Sequence, residues 1–183
     1  MSDEYLEMYD EFTNHLSKDN TFTGNHVLEI LKKYSSTISV FDMMEFTSQV
    51  IEENKYVQEG YRKDSQKSYI ESFLFRIKDI LNDYNDYGQS IDRKSFGDAI
   101  EILKTHYETG TQNVETKVPL IFEIASIYAT FILEESIHPV GTPFPGSLKV
   151  EKENGEFLCP VKEANINTPN AVCNICLAEQ LDF

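Results

Sequence analysis

The stretch VPLIFEIASIYATFIL, residues 118–133, decides the fold class of this chain. Apolar side chains occupy most positions around the helix that it predicts, and such a helix belongs at the centre of a bundle. Pro119 suits the first helical turn, where its missing N–H costs little because that turn has no intrahelical acceptor for it. The stretch is shorter than the roughly 20 apolar residues of a membrane span, and Glu123 interrupts it. It therefore predicts a buried central helix.

Amphipathic helices are predicted on the N-terminal side of this stretch. The clearest covers residues 61–84, where apolar side chains recur at intervals of three and four along one face. Ser2 and Asp3 resemble a helix start, and Gly110 resembles a helix stop. Further helical segments are predicted at 5–16, 26–34, 39–53 and 92–107. We expect a mainly α protein with a helical bundle of five or six helices over residues 1–137.

The character of the sequence changes at residue 138. Three prolines and two glycines fall within residues 138–146, which predicts a stiff extended loop because proline fixes φ and disfavours helix in the residue before it. Asn154-Gly155 between two alternating runs predicts a β-hairpin, because both central residues of a type I′ turn need positive φ. A short helical turn is predicted at 176–180. Residues 138–183 are thus expected to form a Pro-rich loop, a β-hairpin and a Cys-rich tail packed on the bundle.

All three cysteines lie in this C-terminal part: Cys159, and Cys173 with Cys176 as Cys-x-x-Cys. His138 is the one histidine outside the helical part. Three thiolates and one imidazole satisfy the four-coordinate demand of a structural zinc ion, and a two-residue spacer lets one turn aim both sulfurs at it. The hairpin would present Cys159 at the end of its second strand. We predict a metal knuckle with zinc held by Cys159, Cys173, Cys176 and His138.

Other chemistries fit the same residues. An iron–sulfur cluster can be held by three thiolates and one further ligand. A catalytic zinc ion would need an open coordination position. A thioredoxin-like redox pair would need a βαβ context that the pattern lacks. Glu135 and His138 also have the spacing found in di-iron bundles, but those sites need a second such pair.

Composition and charge limit the partners of the chain. It carries 31 acidic and 16 basic residues, a net charge of -15, and such a surface repels the phosphate backbone of nucleic acids. No apolar run is long enough to span a membrane. The acidic start differs from the basic start of a signal peptide, and three cysteines without a disulfide pattern suit a reducing compartment. We expect a cytoplasmic protein that binds neither nucleic acid nor membrane.

Three C-terminal motifs resemble the signature of an uncharacterised archaeal protein family found mainly in methanogens. They are HPVGTPFPG at 138–146, CPVKE at 159–163 and PNAVCNICLAEQ at 169–180, and the preceding YATFILEE at 128–135 is also similar. The resemblance implies an anaerobic archaeal cytoplasm. It implies no reaction, because the function of that family is unknown.

Two functions remain open at this point. The leading hypothesis is a non-enzymatic, metal-stabilised module that interacts with an unidentified protein partner, since four ligands leave no spare catalytic group. No nucleotide-binding loop, nucleophile elbow or pair of catalytic carboxylates is present to suggest a reaction. The alternative is an iron–sulfur or zinc-dependent redox or hydrolytic enzyme, with a pocket beside the Pro-rich loop.

Overall fold

A computed structural model describes residues 4–18, 21–109, 116–168 and 171–182 of the chain. The helix start predicted at Ser2 and Asp3 and the stop predicted at Gly110 lie outside these ranges. The described residues are mainly helical, and their strands are short and C-terminal. The predicted fold class is confirmed at this level.

Seven α-helices occupy the described residues before the Pro-rich loop. They are α1 (Glu4–Lys18), α2 (Gly24–Ser35), α3 (Val40–Asn54), α4 (Glu59–Tyr69), α5 (Phe75–Leu81), α6 (Arg93–Thr109) and α7 (Val118–Ile127). One π-helical turn, Ile70–Leu74, joins α4 to α5, and a second, Tyr128–Ile132, follows α7. The predicted helix starts at Ser39 and Asp92 are confirmed, since their side chains accept hydrogen bonds from the backbone N–H groups of Asp42 and Ser95 at 3.2 and 2.7 Å.

The prediction of five or six helices is corrected to seven because a π turn divides the helix predicted at 61–84. The backbone N–H of Phe75 bonds to the carbonyl of Ile70, five residues back. This extra residue in one turn rotates the following helix face and buries Ser72 and Phe73. The helix then ends at Leu81 rather than at residue 84.

The predicted central helix is confirmed. Its apolar side chains are almost fully buried, with Leu120, Ile121, Ile124 and Ile127 at 0% exposure. The helix α7 packs against α2, α3 and α5, so it sits in the core of the bundle. Burying each such side chain contributes about 1.5–3 kcal/mol.

The described residues of the C-terminal part form five short strands, one short helix and one 3₁₀ turn. They are β1 (Pro143–Phe144), β2 (Leu148–Lys149), β3 (Glu151–Glu153), β4 (Glu156–Cys159), α8 (Lys162–Asn165), the 3₁₀ turn Val172–Ile175, and β5 (Glu179–Gln180). The strands β1 and β2 pair antiparallel, as do β3 and β4, whereas β5 runs parallel to β4. The 3₁₀ turn packs against α6 and α7.

The β-hairpin predicted at Asn154-Gly155 is confirmed, with φ of 51° and 91° at the two residues. The helical turn predicted at 176–180 is wrong. Residues 179 and 180 form β5 instead, because β4 offers a free edge on which Gln180 aligns with Cys159. Among the described residues, no helix is long and apolar enough to cross a membrane.

Candidate metal centre and adjoining cavity

Cys159 lies at the end of β4, where the chain turns into α8. Burial raises the pKa of its thiol, and the backbone N–H groups of Val161 and Lys162 offset part of that rise by hydrogen bonding to the sulfur. N–H groups aimed at a sulfur stabilise its thiolate form. The turn after Cys159 therefore opposes part of the effect of burial, whose net result is a raised pKa.

Cys173 lies in the 3₁₀ turn, and Cys176 follows directly after it. The backbone N–H of Cys176 donates to the carbonyl of Cys173 at 3.2 Å, and the N–H of Ile137 donates to the sulfur of Cys176 at 3.4 Å. Burial, together with the neighbouring Cys176 and Cys159, raises the pKa of Cys173 to about 11. The three sulfurs are therefore close enough to act on one another.

His138 follows Ile137 at the start of the Pro-rich loop. Its ring makes edge contacts with Tyr69, Phe73 and Phe144 at centroid distances of 5.8, 5.8 and 5.9 Å. Burial lowers its pKa to about 4, so the imidazole is neutral at pH 7, as a metal ligand must be. Its Nε2 is shielded from solvent and bonds to no partner in the described ranges of the chain. Leaving such an atom unpaired costs about 1–3 kcal/mol.

One small cavity brings the four predicted ligands together. It has a volume of about 20 Å³, and its lining includes Cys159, Cys173, Cys176 and His138. That volume holds one water-sized species. However, no group of three His, Cys, Asp or Glu side chains in the described part of the chain already has an arrangement that could hold a metal ion. The metal assignment therefore stays a prediction.

Lys162 also lines the small cavity. Its ammonium group donates hydrogen bonds to the carbonyls of Cys176, at 3.1 Å, and Ala178. A zinc ion with three thiolates and one neutral imidazole carries a net charge of -1. Lys162 therefore places a compensating positive charge beside the predicted ligands.

A second, larger cavity shares part of this wall. Its volume is about 590 Å³, and it is lined by residues of α3, α6 and α7 and of the C-terminal part. Cys159, Cys173 and His138 line both cavities, and Phe144 of the Pro-rich loop lines the larger one. The predicted metal ligands are thus adjacent to a space large enough for a small molecule.

Glu123 lines this larger cavity and was not among the predicted site residues. Only 4% of its surface is exposed, and the hydroxyl of Tyr9 donates a hydrogen bond to its Oε2. Burial raises the pKa of Glu123 to about 8, and the hydrogen bond from Tyr9 offsets only part of the rise. The sequence did carry one signal for this residue, since Glu123 is an isolated acid within an apolar helix. A buried carboxyl with a shifted pKa is typical of functional sites.

His106 on α6 is a second lining residue that sequence reasoning missed, since a histidine near a helix C-terminus is readily explained by the helix dipole. Its Nδ1 is shielded from solvent and has no hydrogen-bond partner within the part of the chain that the structure describes. Burial lowers its pKa. Glu135 is the acid whose spacing from His138 matches that of di-iron bundles. Its carboxylate forms an ion pair with Arg76 at 3.1 Å.

Known proteins resemble this chain over most of its length. The profile of a family described as "Uncharacterized protein conserved in archaea (DUF2115)" matches residues 23–181. A UPF0305 protein of Methanothermobacter thermautotrophicus is 35% identical over 158 residues, which cover 86% of this chain and 96% of that protein. A second UPF0305 protein of the same organism is 32% identical over 151 residues, 82% of this chain and 91% of that protein.

The resemblance extends to other methanogens. The UPF0305 protein MJ0646 of Methanocaldococcus jannaschii is 26% identical over 163 residues, covering 87% of this chain and 97% of that protein. No solved structure matches the chain. The relatives' names state no activity, so the site itself must carry any functional argument.

Proposed function

The chain belongs to the family of uncharacterized proteins conserved in archaea (DUF2115), and we propose that it is a zinc-stabilised, non-enzymatic protein-interaction module. One observation carries the metal part of this proposal. The four predicted ligands, Cys159, Cys173, Cys176 and His138, line one cavity of about 20 Å³. The proposal places the protein in the cytoplasm, where a reducing environment keeps such thiols free to bind metal.

The donor set favours zinc in a structural role. Three thiolates and one imidazole fill a tetrahedral shell and leave no open position for substrate. The N–H of Ile137 at the sulfur of Cys176 and the ammonium of Lys162 beside it supply the outer contacts that such sites use. Binding requires the thiols to turn toward the ion and to lose their protons, which couples metal binding to the folding of this part.

A bound metal would stabilise the C-terminal part, whose strands are short and whose buried apolar side chains are few. Its strands are two to four residues long, and strands this short are marginal on their own. Few of its apolar side chains are buried, among them Val150, Ile175 and Ala178. A zinc ion shared by β4, the Pro-rich loop and the tail would add a strong link to the strand pairing and hydrogen bonds that join these segments.

A surface on α3 supports the interaction part of the proposal. Val40, Phe41, Met44 and Ile51 are exposed, Val40 at 70% and Phe41 at 81%. Positions 40, 44 and 51 lie within about 40° of one another around a helix, and position 41 is adjacent. We call these four residues the α3 stripe. A contiguous exposed apolar surface is typical of a protein-binding site.

The charges around the α3 stripe indicate the chemistry of its partner. Glu45 and Glu52 on the same helix are exposed, and the chain has a net charge of -15. A second copy would bring like charges together, which is unfavourable. The partner that fits is a protein with an apolar face flanked by Lys or Arg.

The metal part is tested by Cys176→Ser, with Leu177→Ser as a matched control at an exposed neighbouring position. We expect the cysteine variant to lose bound metal and to unfold at lower urea concentration, because it removes one of four ligands. The control should keep its metal. Unchanged metal content in Cys176→Ser would contradict the ligand assignment.

The interaction part is tested by a photo-crosslinking residue at position 41, with position 84 as the control because Tyr84 is also highly exposed. The protein captured at position 41 alone should then bind the purified chain with an affinity that falls as salt rises. Phe41→Asp should abolish that binding. Crosslinks only to a second copy, or binding unaffected by Phe41→Asp, would contradict this part.

The larger cavity favours a second candidate function. Cys159, Cys173 and His138 line it, so a metal or an iron–sulfur cluster with an exchangeable ligand would face a space for substrate. This is the arrangement of a redox or hydrolytic enzyme. A cobalt-substituted protein whose spectrum changes on adding a small thiol or azide would support it, because a closed structural site has no position to exchange.

A further inference from the structure

We propose that the cavity of about 590 Å³ binds a small organic cation, an amine attached to an apolar body. This goes beyond the proposed function, since neither the zinc ion nor the α3 stripe provides the recognition. The cavity's size is the first argument. Its volume lies within the 300–1,000 Å³ typical of ligand sites.

Aromatic side chains form part of the cavity wall. Tyr69, Phe73, Phe122 and Phe144 line it, and the rings of Phe73 and Phe122 meet edge to face at 4.5 Å. Aromatic faces attract cations through the ring quadrupole, and they also bury an apolar body favourably. An amine with an apolar or aromatic body satisfies both properties of these walls.

The charges of the lining select against anions. The described lining residues include two acids, Glu53 and Glu123, and no Lys or Arg. A carboxylate or phosphate would therefore find no cationic side chain to pair with in the described lining. A cation would supply the charge that this lining lacks.

Glu123 gives the cation a fixed partner. It is buried on the central helix, and the hydroxyl of Tyr9 on α1 holds its Oε2 by a hydrogen bond. The burial that raises its pKa to about 8 reflects a carboxyl that has no countercharge. An ammonium group in the cavity would form a charge-assisted hydrogen bond with it.

His106 supplies a second acceptor. Its ring lines the cavity, and its Nδ1 is shielded from solvent and has no hydrogen-bond partner among the described residues. Buried polar atoms are almost always hydrogen-bonded in native proteins. An ammonium group carries three N–H donors, enough for both Glu123 and His106.

Access to the cavity lies among polar residues. Gln49, Glu53 and Thr168 are exposed and also line it. A ligand can therefore enter from solvent without opening the helical core. Thr168 is the position at which a larger side chain would narrow this entrance.

The test uses three naphthalene probes of matched shape, measured by titration calorimetry on the full-length protein at pH 7. They are 2-naphthylmethylammonium, 2-naphthylmethanol and 2-naphthoate. We expect the cation to bind at least about tenfold more tightly than the other two. Glu123→Gln should weaken the cation about tenfold or more and leave the alcohol unchanged, because only an ammonium group favours release of the Glu123 proton to solvent and pairs with the resulting carboxylate.

Thr168→Trp is a second variant that leaves the core intact, with Thr105→Trp as its control at an exposed position outside the cavity. Thr168→Trp should weaken the cation, and Thr105→Trp should not. The inference is overturned if the alcohol or the naphthoate binds as tightly as the cation. It is also overturned if the cation keeps its wild-type affinity in Glu123→Gln or, should that variant not fold, in Thr168→Trp.

Discussion

Replacing Glu123 by Gln should change how the stability of the protein depends on pH. In the folded state burial raises the pKa of Glu123 to about 8, against an ordinary value of 4.5. Above pH 4.5 the unfolded chain releases this proton, whereas the folded chain keeps it until about pH 8. Rising pH therefore favours the unfolded state across this window.

The size of the effect follows from the two pKa values. Where Glu123 is protonated in the folded state and ionised in the unfolded state, each pH unit changes the free energy of unfolding by about 1.36 kcal/mol. Between pH 5 and pH 7 the wild-type free energy of unfolding should fall by about 2.5 kcal/mol relative to the Gln variant, which does not titrate. Below pH 4.5 the difference between the two proteins should level off.

The assay is urea unfolding of both proteins at pH 5, 6 and 7, with the same metal loading. Only the difference between the two free energies is compared, because other titrating groups then cancel. Gln keeps an oxygen that can accept the hydroxyl of Tyr9. Two parallel stability curves would refute the reasoning, since they would mean that Glu123 has the same pKa in the folded and unfolded states.

Two further predictions concern the bundle. Gly24→Ala should destabilise the protein, because a Cβ there would lie 2.7 Å from the Cβ of Tyr87. Gly60→Ala in α4 should instead stabilise the protein by up to about 1 kcal/mol, because a Cβ there meets nothing within 4 Å. Thermal unfolding of the two variants tests this pair, and equal shifts would contradict it. Asp83→Asn should cost about 1–3 kcal/mol at pH 7, because buried Asp83 accepts hydrogen bonds from the hydroxyls of Tyr87 and Tyr128 at 2.9 and 2.7 Å. Burial raises the pKa of Asp83, but the hydrogen bonds from Tyr87, Tyr128 and Asn85 outweigh this effect and hold the pKa below its ordinary value. The destabilisation by Asp83→Asn should therefore shrink as the pH falls through the lowered pKa of Asp83. A destabilisation that does not depend on pH would contradict this account.

The helices could be predicted because their apolar spacing is a local property. Ser39 and Asp92 begin helices for reasons visible within four residues of sequence, and the same holds for the turn at Asn154-Gly155. The π turn at Ile70–Leu74 was missed because its extra residue depends on packing against α7. The strand β5 was missed because its partner, β4, lies about 20 residues earlier in the chain.

The sequence indicated which side chains could form the candidate site, but not the cavity beside them. Cysteine spacing indicated which side chains should meet, and the structure places all of them, with His138, around one small cavity. The larger cavity could not be predicted, since its walls come from helices and strands that are far apart in the chain. Glu123 was the one local signal, a lone acid in an apolar helix.

The central claim is that the C-terminal part holds one zinc ion. Elemental analysis of the anaerobically purified full-length protein, combined with its visible absorbance spectrum, tests it most directly. We predict one zinc ion per chain in a colourless sample, because three thiolates and an imidazole favour this ion and zinc has no visible transitions. Iron with broad visible absorbance, or a protein free of metal, would contradict the claim.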